Sequence, residues 1–527
     1  MSLYLGFDCS TQSFSAIVIE IDGDRRRVVF RHSLNFDRDF PAYKTRSGVR
    51  HGREPGEVFA PPLMWAAALD RMMAVISAAP EVDVAAVRAI SGSAQQHGSV
   101  YLNDTAIGVW QGLHANTALA PQIAGTFSRA GAPIWMDEST TAQCQEIERA
   151  LGGPEATARL TGSRAFERFT GPQIRKFFQR QPANYAKTVR IHLVSSFLAS
   201  LLAGDDAAID IGDGSGMNLM DLVRGEWSGE ALAATADALA SKLPTVRPSS
   251  TVVGTLASYW QRRHGFPAAR VIAWSGDNPC SLIGTSTVQE GRLAISLGTS
   301  DTVFACTREP HFAASHIFRA PTGDFMNLVC FRNGSLARER VRDQYGLDWP
   351  GFNQALESAP AGNNGALMLP WFEPEITPHV SAGGVRRFDL DEHDARANVR
   401  AVVEGQMMAM ANHSAAMTRH SVDRIVATGG ASANRAILKV MADVFGADVY
   451  TLRIGNTASL GAALRAFHAD RLADGDALDW SDIVAGFTEP DAADRVTPEP
   501  AHVDTFRQLR SRYADAESRA ASQSSAD

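Results

Sequence analysis

The first thirty residues set apolar runs against short polar breaks, a pattern that predicts strands at Tyr4 to Phe7, Ser15 to Ile21 and Val28 to His32. Such short connections make neighbouring strands antiparallel and leave no room for the crossover helix that a dinucleotide fold needs after its first strand. A further strand from Val87 to Ser91 runs into Ser93-Ala94-Gln95-Gln96-His97-Gly98 and leaves through Ser99 to Leu102. From about Thr140 to Leu202 the apolar periodicity is helical, and Ile191 to Leu202, apolar nearly all round, predicts a buried helix. A Gly- and Asp-rich stretch, Asp210 to Leu222, comes next, and periodicity then breaks at Pro244, Pro248 and Ser249-Ser250, placing a domain boundary near Lys242 to Ser250.

The second half repeats the logic of the first. Strand Val271 to Trp274 ends at Ser275-Gly276-Asp277-Asn278-Pro279, where Pro279 is expected as the first helical residue and Asp277 or Asn278 as its cap. Strand Arg424 to Ala427 meets the turn Thr428-Gly429-Gly430-Ala431-Ser432, and a helix is predicted from about Ala433 to Phe445. After Val449 to Leu452, the small residues Ala458, Gly461, Ala462 and Ala463 predict a helix that packs closely on its neighbour, and the polar stretch Ser518 to Asp527 predicts disorder.

Two turns stand out within this pattern. Leu5-Gly6-Phe7-Asp8-Cys9-Ser10-Thr11-Gln12-Ser13 and Ala294-Ile295-Ser296-Leu297-Gly298-Thr299-Ser300-Asp301-Thr302 each join two apolar runs through small hydroxylated residues. A tight turn without bulky side chains lets backbone N–H groups and Ser/Thr hydroxyls approach a phosphate. Either copy alone reads as an ordinary β-turn; two copies with matched flanks predict a duplicated phosphate-gripping hairpin. The strand, glycine turn and helix N-terminus around Gly429 and Gly430 likewise suit a nucleotide.

Composition narrows the class. A chain of 527 residues exceeds one hydrophobic core and predicts two or three domains, and 45% apolar with 20% charged residues marks a globular protein. A net charge of -8 leaves no electrostatic footprint for nucleic acid or anionic membrane, and the one basic run, Arg25-Arg26-Arg27, sits beside Asp22 and Asp24 as a solvated loop. Five scattered cysteines lack zinc-site spacing and fit a reducing cytoplasm. The Leu3 to Phe7 run is broken by Asp8, so no signal peptide is expected, and no run approaches the roughly twenty apolar residues of a membrane span. The phosphate-loop, nucleophile-elbow and zinc-protease motifs are all missing.

Phosphoryl transfer needs loops for the anion, a metal bridging its oxygens and a group that positions the nucleophile. Asp8, at a strand end, is a candidate for Mg²⁺, held through water, or equally a turn-capping residue. Asp277 is the candidate base, expected to stay ionised at a helix N-terminus, with a plain N-cap as the alternative. Gln95, Gln96 and His97 offer the neutral donors and acceptors a polyhydroxylated substrate requires, and Arg168 either reaches a sugar hydroxyl or pairs with an acid such as Glu167.

These features, with AQQHGS (94–99), WMDESTTAQC (135–144), LTGSRAFERFTG (160–171), DGSGMNL (213–219), SGDNPCSL (275–282), SLGTSDTVF (296–304), FRNGSLARE (331–339) and ATGGASANR (427–435), resemble the FGGY carbohydrate kinases over nearly the whole chain. The resemblance implies a two-domain actin-like, ribonuclease-H-like α/β ATPase fold with duplicated mixed sheets flanked by helices. It implies Asp277 as catalytic base, with His97, Arg168 and Asn278 on the sugar, to which the residue reading above adds Gln96. Ser10, Thr11 and Gln12, with Gly298, Thr299 and Ser300, match the phosphate-contacting hairpins, Asp8 the metal position, and Gly429, Gly430, Asn434 and Trp349 the adenosine site. Ser10 departs from the glycine of many members but is similar to the xylulose-specific group.

The expectation is therefore a cytoplasmic, Mg²⁺- and ATP-dependent kinase of D-xylulose, a monomer or homodimer without nucleic-acid or membrane partners. Its sugar-binding domain is expected at 1–250, its ATP-binding domain at 251–487, and a helix with a disordered tail at 488–527. The alternatives are the same chemistry on ribulose, glycerol or gluconate, a chaperone-type ATP switch, and a non-catalytic sugar sensor.

Overall fold

The computed structural model describes residues 1–312, 316–418, 422–452, 455–489 and 492–524. The chain forms two compact units that interleave in sequence. Unit 1 comprises Met1–Ser286, Ile317–Phe325 and Asn456–Thr488; unit 2 comprises Thr287–His316, Met326–Gly455 and Glu489–Asp527.

In unit 1, strands β1 (Ser2–Cys9), β2 (Ser13–Asp22), β3 (Arg25–Asn35), β4 (Val87–Ala94), β5 (Val252–Thr255) and β6 (Arg270–Ile272) form a mixed sheet in the order β5-β6-β4-β1-β2-β3, with β7 (Ser275–Gly276) added to β4. The three N-terminal strands pair antiparallel, as their short connections require. β1, β6 and β7 run parallel to β4, with Asp8 opposite Ser93 and Gly276 opposite Ala94. Three strand ends thus open on one edge of the sheet. β1 is buried along nearly its whole length, because helices cover both faces, and β3 alternates as an edge strand should.

The Thr457–Ala473 helix lies against β1 closely enough that a Cβ on Gly6 would sit 2.1 Å from the Ser459 carbonyl oxygen. It meets the Asp277–Gly284 helix at the same range: a Cβ on Gly461 would lie 1.8 Å from the Cys280 carbonyl, and one on Gly284 1.9 Å from that of Thr457. The close packing predicted for the small residues near Ala458 is therefore present, and the contact requires glycine.

Unit 2 repeats the arrangement. β8 (Arg292–Leu297) and β9 (Asp301–Thr307) form an antiparallel hairpin, and β11 (Arg424–Thr428) runs parallel to β8 with Ser296 opposite Thr428. β10 (Phe325–Phe331) extends the sheet beyond β9, and β12 (Asp448–Thr451) extends it beyond β11. Each unit has its own core, built around Phe7, Trp65 and Trp274 in unit 1 and Val303, Phe352 and Met407 in unit 2.

Four details depart from the sequence expectation. The helix carrying Asp277 starts at that residue with Gly276 as N-cap, so Pro279 stands third in it, a position that also lacks an intrahelical use for its missing N–H. Beyond the glycine turn, Gly430–Ala433 forms a 3-10 turn, and the α-helix starts only at Arg435 with Asn434 as its cap. Arg190–Leu193 is a strand paired with Ser99–Leu102, so the buried helix is Val194–Ala203. The last helix, Pro500–Ser524, continues through the stretch expected to be disordered, held by Phe506, Leu509, Tyr513, Ala516 and Ala520 at helical spacing on one buried face. Residues 525–527 of that stretch lie outside the described residues.

Candidate active site

The strand ends of unit 1 gather most of the sugar-side residues. Asp8, 4% exposed, accepts hydrogen bonds from Ser10 Oγ at 2.5 Å and Ser93 Oγ at 2.9 Å. Burial raises its pKa above the ordinary carboxylate value, with the two hydroxyls opposing. Asp277 opens its helix, and its Oδ1 accepts the Asn278 backbone N–H at 2.9 Å. The Asn278 amide then donates to Gln96 Oε1 at 2.8 Å.

A helix N-terminus by itself predicts a low pKa for Asp277. Instead burial, and next the neighbouring Asp8 charge, push it up to about 7, outweighing the N–H donors that favour the carboxylate. The desolvated pair of carboxyls overrides the helix end.

His97 sits in the left-handed region at φ 69°, where a tight turn at the tip of β4 directs its ring inward. Its Nδ1 lies 2.8 Å from the Gly216 carbonyl, which can only accept, so the proton is on Nδ1 and Nε2 is left as an acceptor. Burial and then the Arg168 charge lower its pKa to about 3, so the ring is neutral at physiological pH. It packs on Phe169 at 4.4 Å between centroids, and the Arg168 guanidinium lies 5.5 Å from the same Phe169 ring. Arg168, His97, Gln96, Asn278 and Asp277 thus belong to one neighbourhood. Gln95 is buried, and its side-chain amide finds no hydrogen-bond partner among the described residues.

The first hairpin tip is held from two sides. A Cβ on Gly48, at φ 77°, would fall 1.9 Å from the Thr11 carbonyl, and the Phe36 N–H donates to the Gln12 carbonyl at 2.9 Å. Trp135 Nε1 donates to Thr11 Oγ1 at 2.8 Å, although the Trp135 side chain is 45% exposed. An indole is donor-only, so it occupies a lone pair and leaves the Thr11 O–H free to donate to an anion.

In unit 2 the second tip, Gly298-Thr299-Ser300, is clamped from below. Asp301 and Arg338, each at most 1% exposed, form a two-pronged ion pair at 2.8 and 3.1 Å, and Arg338 also donates to Gln406 Oε1 at 2.7 Å. The Gln406 amide reaches the Asn333 and Gly334 carbonyls, and the Ser335 N–H donates to the Gly298 carbonyl at 2.8 Å. A Cβ on Gly429, at φ 83°, would lie 2.5 Å from the Leu297 carbonyl, so the glycine turn abuts the hairpin, while Gly430 has open space on its bare face. Asn434 caps the next helix through the Ala436 and Ile437 N–H groups, and its amide donates to Asn353 at 2.6 Å. Asn353 belongs to the Trp349–Ser358 helix, whose first residue, Trp349, is 40% exposed under the Arg342 guanidinium at 4.6 Å.

Sequence reasoning passed over Trp135, Asp213, Arg338 and Gln406. The first three lie in stretches that carried the family resemblance, so the signal was position within a motif; Gln406, in the long Ala395–Ser414 helix, had none. Among the described residues, no group of three or more His, Cys, Asp or Glu could hold a metal ion, and no helix is long and apolar enough to cross a membrane.

Two hairpins with small polar tips, each backed by a parallel strand on a mixed sheet, form the scaffold of an actin-like phosphotransferase. Residues 130–284 match the N-terminal domain of the FGGY family of carbohydrate kinases, and residues 293–469 match its C-terminal domain. "Xylulose kinase" of Rattus norvegicus is 42% identical over 527 residues, covering 98% of this chain and 96% of its own. A ligand-bound xylulose kinase and a gluconate kinase, both from Lactobacillus acidophilus, superpose with TM-scores of 0.80 and 0.81 at 17% and 18% identity. The first covers 98% of both chains, the second 99% of this chain and 98% of its own. The chain belongs to the FGGY family of carbohydrate kinases: it is a sugar phosphotransferase that uses ATP as co-substrate. The two structural likenesses speak for the fold alone and do not choose the sugar.

Proposed function

We propose that the chain transfers the γ-phosphate of ATP to the terminal 5-hydroxyl of D-xylulose, giving D-xylulose 5-phosphate. The observation that carries the choice of sugar is the near full-length likeness to the rat protein named Xylulose kinase. The chemistry is supported by a base candidate with a pKa of about 7, flanked by neutral polar side chains. Gln96, His97 and Asn278 orient the hydroxyls, and Arg168 closes the aromatic side of the site. Asp277 accepts the proton of the attacking hydroxyl; in a loose phosphoryl-transfer transition state that proton leaves late, so a base near neutrality suffices.

On the donor side, the backbone and hydroxyls of Ser10, Thr11 and Gln12 and of Gly298, Thr299 and Ser300 hold the phosphates. Gly429, Gly430, Asn434 and Trp349 hold the adenosine. Mg²⁺ takes one or two carboxylates and keeps several waters. Asp8 fits it, as a buried carboxyl that accepts from two hydroxyls and whose charge bears on Asp277. When bound, the ion neutralises charge developing on the phosphate oxygens. Cys9, Cys144 and Cys280 are buried free thiols, which suits a reducing cytoplasm.

Two measurements test this reading. A panel of D-xylulose, ribulose, glycerol and gluconate in a coupled ADP assay should give the highest kcat/KM for D-xylulose; a preference for gluconate would assign Arg168 to a carboxylate instead. Asp277→Asn keeps size and polarity but not basicity, and should lower kcat by about 10²- to 10⁴-fold. Retention of activity within about tenfold would remove Asp277 from the role of base.

A further inference from the structure

The DGSGMNL stretch carries a buried carboxyl that neither accepts the sugar proton nor holds a phosphate. Asp213 is 1% exposed, and its Oδ2 shares a hydrogen bond with Ser195 Oγ at 2.5 Å. Its Oδ1 has no hydrogen-bond partner among the described residues, nor has the equally buried Nε2 of Gln96. Two glycines place these atoms on one face: a Cβ on Gly276 would lie 2.4 Å from Gln96 Cγ and 2.9 Å from Asp213 Oδ1, and one on Gly216 would lie 3.4 Å from Gln96 Nε2. The other end of the same amide, Gln96 Oε1, accepts from Asn278.

The two ends of a glutamine amide differ only in donating and accepting. With a carboxyl oxygen on one side and the Asn278 NH₂ on the other, only one orientation avoids setting oxygen against oxygen and NH₂ against NH₂. Turning the amide over costs the Asn278 contact and sets its oxygen against the carboxyl, so the carboxyl selects the state that holds Asn278.

We propose that Asp213 is a positioning residue for the sugar, its carboxyl fixing the Gln96 amide and, through it, the Asn278 amide beside Asp277. The inference rests on the reading that Gln96 and Asn278 bind the ketose. Asp210 on its own segment and Asp277 on the later helix both face Asp213 with like charge. Arg465 reaches Asp210 and the Ser249 and Ala273 carbonyls, and the Arg319 guanidinium lies over Phe325 at 4.6 Å. Burial, with those charges, pushes Asp213 up to about 8, so at neutral pH it is a neutral acid; with the proton on Oδ2, given to Ser195 Oγ, its Oδ1 is the acceptor that faces the Gln96 NH₂. Asparagine has the same pair of functions.

Steady-state kinetics with D-xylulose and ATP test the proposal. Asp213→Ala should raise the KM for D-xylulose by about tenfold or more, with the KM for ATP held within about twofold. Asp213→Asn should restore the sugar KM to within about threefold, and Asp213→Ala added to Gln96→Ala should cost no more than Gln96→Ala alone, within about twofold. Ser195→Ala, a gentler change that unties Oδ2, should raise the sugar KM by about threefold, keeping a readout if Asp213→Ala fails to fold. A sugar KM unchanged in both Asp213→Ala and Ser195→Ala, an Asn variant as impaired as Ala, or multiplicative effects with Gln96→Ala would each overturn it. Wild-type turnover tests the sugar assignment separately; should another sugar of the panel be the substrate, the same comparison is read on that sugar.

Discussion

A carboxyl at the first position of a helix ordinarily titrates low, and Asp277 at about 7 shows what desolvation beside a second carboxyl does to that rule. The base must be unprotonated to accept the hydroxyl proton. In the free enzyme, kcat/KM should therefore rise with pH up to about 7 and level off above it, a limb that a pH-rate profile reads directly. A limb near pH 4 would mean that the carboxylate stays charged, as the helix end alone suggests. Asp213 makes the companion case for stability. Its folded pKa of about 8 lies above the roughly 3.9 of an unfolded aspartate, so between those values the folded chain holds a proton the unfolded chain has released. Stability from this group is complete below the unfolded value and is lost as pH rises through the folded one. Asparagine cannot titrate, so the melting temperature of Asp213→Asn minus that of wild type should grow between pH 5 and pH 9 in thermal melts. Asp277 was readable in the chain and Asp213 was passed over within its motif; the charge state of neither was legible, because burial depends on what Gly216 and Gly276 allow to approach.

At the scale of elements, the hairpins were legible because their signal is local: apolar runs broken by small polar residues at Asp8–Ser13 and Leu297–Asp301. What fixes the second hairpin was not, since Arg338 and Gln406 come from helices far along the chain. Lysine cannot reproduce the two-pronged contact of Arg338 with Asp301. Arg338→Lys should therefore fold yet loosen the tip, raising the KM for ATP several-fold, about 5-fold for a loss near 1 kcal/mol, while the KM for the sugar stays level. Arg338→Met leaves Asp301 buried without its partner, a change worth about 3–5 kcal/mol in denaturant unfolding. Equal effects on both substrates in Arg338→Lys would show that the clamp serves the unit as a whole and not the hairpin.

At the scale of the molecule, the sequence predicted two halves in succession, whereas the folded units exchange segments: Asn456–Thr488 returns to unit 1 after unit 2 has been traversed. A linear reading could see that the Ala458–Ala463 region was made for close contact, but not with what. Its helix covers β1 at Gly6 and meets the Asp277–Gly284 helix at Gly284 and Gly461. It also delivers Arg465, 1% exposed, to Asp210 and to the carbonyls of Ser249 and Ala273. Without that helix, Tyr4 and Arg88 lose Asp470, one face of the central sheet meets water, and Asp210 is left buried without its cation. Uncovering a sheet face costs the burial of several large side chains, each worth about 1.5–3 kcal/mol, which exceeds the few kcal/mol by which domains are stable. A fragment of Met1–Ser286 should therefore show no cooperative thermal transition by circular dichroism, even though it contains Asp8, Gln96, His97, Arg168 and Asp277. Co-expression with Asn456–Thr488 should restore the transition. A sharp melt from Met1–Ser286 alone would show that the returning helix decorates a core that is complete without it.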